Sequence, residues 1–173
     1  MPFKTFADGE VLTFDVVNRY FVQQHSVIKP ADEALLATST PQNDDHLFFP
    51  VLANSQYFVE FFLIYDTRND ADIVITFTGP VGCTMDWTHG GLGTGASSST
   101  GTVSRNYRNI TNTGTIGGPA AVLGTFCVIP GEGRVVTGAN AGTLNLKWSQ
   151  VAAIGTATTV KANSVIIAQR LTI

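Results

Sequence analysis

From Pro30 onward, strand-length apolar runs follow one another at short intervals, and glycine, proline or asparagine cuts off each one. That punctuation leaves no room for a helix of ordinary length and restricts this part of the chain to sheet. The strongest run is 56–66, Gln-Tyr-Phe-Val-Glu-Phe-Phe-Leu-Ile-Tyr-Asp. Apart from Glu60 both of its faces are apolar, which predicts a strand covered on both sides. One cover is an opposing sheet; the other can be a subunit interface. In 143–151, Leu144, Leu146 and Trp148 alternate with Asn145, Lys147 and Ser149, the pattern of a half-buried strand.

Further strands are expected at 34–39, 46–50, 71–78, 83–88, 102–108, 120–129, 133–138, 156–161 and 164–172. The turn after Asp66 predicts a hairpin between 56–66 and 71–78. Asn140-Ala-Gly142 predicts another between 133–138 and 143–151, and Pro130-Gly131 is expected to end the run 120–129. Residues 90–101 read as a Gly/Ser loop and 109–118 as turns. About eight to ten short strands with such turns predict an all-β chain, a jelly-roll-like antiparallel β-sandwich, with a barrel as the other closed solution.

The first residues read differently. Thr13 is a plausible N-cap with Asp15 in the first turn, and Phe14, Val17 and Phe21 recur at helical spacing, with Val16 and Tyr20 beside them. The spacing predicts a helix over 14–24. A helix this short is marginal alone in water, so its apolar face must dock on its own sandwich, a sister subunit or another protein. The division expected is a helical tether over 1–29 and a β-sandwich domain over 30–173.

Charged residues are 13% of the chain and hydrophobic ones 44%. So little charge excludes a disordered chain and suggests that copies of itself or a partner cover some of the surface. The net charge is −3, and the nearest thing to a basic cluster is Arg105 with Arg108. No footprint for phosphates follows, so no nucleic acid is expected as partner. No run approaches the ~20 apolar residues of a membrane span, and Met-Pro-Phe-Lys-Thr-Phe has no signal-peptide run, so no membrane is expected and synthesis is expected to end in a cytosol.

Candidate chemistry is sparse. Gly91-Leu-Gly93-Thr-Gly95-Ala96 has the spacing of a dinucleotide loop, but Ser-Ser-Ser-Thr-Gly follows where a helix must start. Asp66, Asn69, Asp70 and Asp72 lie close enough to hold calcium, yet such residues also belong in a turn for their own backbone bonds. Asp44-Asp45 reads as a solvated pair. Cys83, Cys127 and the histidines at 25, 46 and 89 have no zinc spacing, and the cysteines read as small apolar residues, with a disulfide left open. Asp86-Trp87-Thr88-His89 offers a possible catalytic group or sugar platform, with core and loop roles as the plainer reading; Trp87, Tyr107 and Trp148 are the aromatic candidates. Glu60, alone in an apolar strand, is expected to pair across a subunit contact. No nucleophile–base arrangement appears, so no enzyme, cofactor or metal is expected.

Phe6-Ala-Asp-Gly-Glu-Val-Leu-Thr13, followed by Asp15-Val-Val-Asn-Arg-Tyr-Phe21, resembles the N-terminal segment of virion proteins of tailed phages infecting actinobacteria. Val27-Ile-Lys-Pro-Ala-Asp-Glu33 and Asn43-Asp-Asp-His-Leu-Phe-Phe-Pro-Val51 resemble the start of the β-domain in the same group, as do Phe62-Leu-Ile-Tyr65, Leu92-Gly-Thr94, Gly142-Thr-Leu-Asn-Leu146 and Thr158-Thr-Val-Lys-Ala162. The resemblance implies a minor tail or head-decoration protein, often a trimeric jelly roll, without catalytic residues. Its expected partners are itself, as a homotrimer, and the major capsid protein or tail proteins, in a virion assembled in the host cytoplasm. The contact candidates are Phe14, Val17, Tyr20, Phe21, Glu60, Phe62 and Ile64. A receptor- or carbohydrate-binding module at a tail tip is the alternative.

Overall fold

The computed structural model describes residues 6–14, 16–17, 24–95 and 107–171. In chain order its strands are β1 (Gln24–Ile28), β2 (Glu33–Leu35), β3 (Gln42–Val51), β4 (Gln56–Asp66), β5 (Ile73–Thr78), β6 (Thr84–His89), β7 (Arg108–Asn109), β8 (Gly114–Ile116), β9 (Cys127–Val136), β10 (Gly142–Gln150), β11 (Thr158–Val160) and β12 (Val165–Leu171). They form an antiparallel β-sandwich. The larger sheet runs β1-β12-β4-β9-β6-β7, with β11 and β2 continuing past β4; the smaller runs β3-β10-β5-β8.

The pairing is nested. β3 pairs with β10, β4 with β9, β5 with β8 and β6 with β7, alternating between the two sheets. The expected hairpins are therefore corrected. β4 and β5 lie in different sheets, as do β9 and β10. The turns after Asp66 and around Asn140 carry the chain across the sandwich instead of back along one sheet. Turn residues fix where a strand stops, not which sheet takes up the next one.

Alternation builds the core. On β4, Tyr57, Val59, Phe61, Leu63 and Tyr65 point inward and are buried. They meet Leu47 and Phe49 of β3, Ile75 and Phe77 of β5, and Leu144, Leu146 and Trp148 of β10 in one cluster. Full burial of a side chain such as Leu63 contributes about 2 kcal/mol relative to exposure. Phe61, Phe77 and Trp87 form an aromatic knot, with ring centroids 5.3–6.3 Å apart.

The expected strand 120–129 is also corrected. Residues 121–126 are irregular and exposed, and β9 runs straight through Pro130-Gly131 to Val136. The Pro130 carbonyl accepts from Gly90 N at 2.8 Å, just past the end of β6. The missing proline N–H points to that same side, beyond the β6 ladder, so the β4 ladder loses nothing. Gly131 lies opposite Phe61, whose ring occupies the space that a Cβ there would need.

At the N-terminal side, Thr13 Oγ1 accepts from Val16 N at 3.3 Å and the Thr13 carbonyl from Val17 N at 3.0 Å. Residues 14, 16 and 17 are helical, and 15 and 18–23 lie outside the described residues. Gln24, expected as the last helical residue, belongs to β1.

Candidate functional site

The larger sheet turns one face to the core and leaves the other open. On β4 the outward residues are Phe58, Glu60, Phe62 and Ile64, and Phe62 is 46% exposed. Strand register sets their neighbours: Val165 and Pro130 flank Phe62, Ile167 and Glu132 flank Glu60, and Val128 lies beside Ile64. The two-sided cover expected for this strand is thus present on one side within the single chain. A shallow hollow of about 320 Å³ opens between Glu60, Phe62, Pro130, Glu132, Val165 and Ile167. The Glu60 carboxylate makes no hydrogen bond or ion pair among the described residues, and like charges directly opposite on paired strands repel.

Beside this hollow, Phe58, Asp86, Tyr107, Glu132 and Arg134 line a second one. The Tyr107 hydroxyl donates to Asp86 Oδ1 at 2.6 Å, and that bond raises the pKa of the phenol. Tyr107 is 73% exposed, whereas Trp87 and Trp148 are core residues. Of the three aromatic candidates, Tyr107 alone faces solvent. His89 is not a loop residue: it ends β6, is buried against Trp87, and accepts from Arg108 Nε at 3.3 Å. Burial, and then the charge of Arg108, lower its pKa.

In the acidic cluster that begins at the end of β4, two carboxylates serve backbone bonding and one an exposed ion pair. Asp66 accepts from Gly124 N at 3.0 Å, Asp72 accepts from Gly118 N at 2.8 Å, and Asp70 pairs with Arg68 at 2.7 Å. Cys83 and Cys127 are both free and half-buried. Phe14 and Val17 are exposed, and Tyr20 and Phe21 lie outside the described residues.

The site that sequence reasoning missed lies where β1, β2 and β3 meet. Lys29, just after β1, is fully buried. Its Nζ lies 2.7 and 2.8 Å from the two Asp44 carboxylate oxygens, 2.6 Å from Glu33 Oε2 and 3.4 Å from His46 Nδ1. Asp44, expected to be solvated, is buried. Its Oδ1 accepts from the backbone N–H groups of His46 at 2.9 Å and Leu47 at 2.8 Å, and its Oδ2 from Trp148 Nε1 at 3.1 Å. Glu33 Oε2 also accepts from Asp45 N at 3.0 Å, while Glu33 Oε1 is buried with no partner among the described residues. Glu33, Asp44 and His46 have the spacing of a metal-ligand set, but the Lys29 ammonium lies among them and supplies the cation. The available signal was local: Lys29 and Glu33 are four residues apart in a chain poor in charge, with Asp44 and His46 in the next strand.

No family model matches this sequence, and no curated protein matches it. Solved structures offer distant likenesses. The tripod of the baseplate of bacteriophage Tuc2009 aligns over 98% of this chain and 73% of its own at 10% identity, with a TM-score of 0.43. Infectious bursal disease virus strain Gx aligns over 98% and 42% at 12% identity with a TM-score of 0.26, and the VP2 subviral particle of that virus over 87% and 42% at 13% identity with a TM-score of 0.22. Alignments at these scores carry no argument about function.

Proposed function

We propose that this chain is a virion structural protein of a tailed phage, a jelly-roll domain that assembles with copies of itself as a homotrimer. In this reading the N-terminal segment tethers it to the major capsid protein or to tail proteins, in a particle put together in the bacterial cytoplasm. The open face around Phe62 is the observation that carries the proposal: it leaves Phe58, Phe62 and Val128 together in water on either side of the Glu60 and Glu132 carboxylates, and self-association would cover them. The nested pairing of β3 to β10 supports the jelly-roll reading, since that order is two Greek keys wrapped into a sandwich. The sequence resemblance to phage virion proteins supports the particle. Glu60, Phe62 and Ile64 lie within this contact; Phe14 and Val17, exposed on their helical turn, belong to the tether with Tyr20 and Phe21.

The test is a pair of substitutions on the open face, Phe62→Glu with Ile64→Glu. The expected result is a fall in solution mass to a single chain with the unfolding temperature maintained. An unchanged mass would contradict the proposal.

Exposed Tyr107 beside Phe58 and Asp86 favours a second reading, a receptor- or carbohydrate-binding module. That reading predicts glycan-array binding that Tyr107→Ala abolishes, and an array without hits removes it.

A further inference from the structure

We infer that the buried Lys29 and Asp44 side chains condense into an isopeptide bond, a covalent modification that the fold itself promotes. This inference does not depend on the assembly reading.

Lys29 Nζ is nearly equidistant from both Asp44 oxygens, a bidentate contact that holds the nitrogen against the carboxyl group with which it must react. Both side chains are sealed from solvent. Two backbone N–H groups, from His46 and Leu47, converge on Asp44 Oδ1, where negative charge develops when an amine adds to the carbon. That is the geometry of an oxyanion hole. Trp148 Nε1 holds the other oxygen, Oδ2. Glu33 stands 2.6 Å from Nζ with its second oxygen buried and without a partner among the described residues, placed to take up a proton and hand it on. A structural ion pair needs none of that spare capacity.

The reaction balances without a co-reactant. The Lys29 ammonium gives one proton to the Glu33 carboxylate and becomes a neutral amine. The amine attacks Asp44 Cγ, forming the C–N bond, and the oxyanion stays on Oδ1. Oδ2 takes up the proton carried by Glu33; a second proton leaves the nitrogen and reaches Oδ2 by the same carboxylate. The C–Oδ2 bond breaks and water departs. Glu33 ends as it began, an ammonium and a carboxylate have become an amide and water, and nothing is oxidised or reduced. Burial favours this outcome, because an amide is far less costly than an ion pair to keep from water. The chain performs the step once, on itself. The bond joins the end of β1 in the larger sheet to β3 in the smaller, at the point where the N-terminal segment enters the sandwich.

Mass spectrometry of the denatured full chain decides the matter. The expected mass is one water below that of the unmodified sequence, and proteolysis between residues 31 and 43 leaves both halves joined. Glu33→Gln and Lys29→Arg are expected at full mass, separating on the same cut. Asp44→Asn loses ammonia instead of water and finishes at the same mass as the mature wild type. A wild-type chain at full mass whose halves separate would overturn the inference, whatever the variants do.

Discussion

Glu60 of β4 and Glu132 of β9 stand directly opposite each other on the open face of the larger sheet, two carboxylates in register amid Phe62, Pro130 and Ile167. Like charges in this position oppose sheet pairing by a few tenths to ~1 kcal/mol. Glu60→Gln is therefore expected to raise the unfolding temperature slightly at low salt. Thermal unfolding across a salt series checks this, because screening should erase the gain.

Lys29 Nζ lies against the Asp44 and Glu33 carboxylates at full burial, as an ammonium before the condensation and as an amide nitrogen after it, and Lys29→Ala leaves both carboxylates charged in the core. Removing one partner of a buried ionic set strands the others and costs about 3–5 kcal/mol. Lys29→Ala is expected to destabilise the domain by that amount in denaturant unfolding, whereas Lys161→Ala, which removes an exposed pair with Asp32, is expected to cost under about 1 kcal/mol.

Gly131 has no room for a side chain, because the Phe61 ring lies over it and is itself wedged against Phe77 and Trp87. Overfilling such a core costs about 1–3 kcal/mol. Gly131→Ala is expected to lose that much stability, and adding Phe61→Leu is expected to recover part of it. The double-mutant cycle measures the coupling.

Much of the fold could be read from the chain, and these residues mark where the reading stopped. The alternation in 56–66 and 143–151 identified the core side of β4 and β10, because period-2 patterning follows directly from the pleat. Pro130-Gly131 looked like a strand end because proline lacks a donor; only the position of Gly90, some forty residues away, reveals that no donor is needed there. The open face around Phe62 was legible as apolar on both sides of one strand. The Lys29 site was not, since lysine is ordinarily exposed, and its burial arises where Glu33 of β2 and Asp44 and His46 of β3 gather around it.

His89 gives the domain a pH dependence of definite sign. Burial lowers its pKa in the folded state, so the unfolded chain binds the proton more readily. Stability is unaffected above the ordinary histidine range and falls as pH drops through it toward the folded value. His89→Gln is expected to flatten that slope between about pH 7 and 5. Unfolding free energies at the two pH values, compared between the variant and wild type, provide the check.

Sedimentation equilibrium of the wild-type chain at micromolar concentration tests the assembly account most directly. The account predicts a single species of three chains, which the Phe62→Glu, Ile64→Glu pair converts to one. A wild-type protein that sediments as one chain throughout, with its apolar sheet face permanently in water, would contradict it.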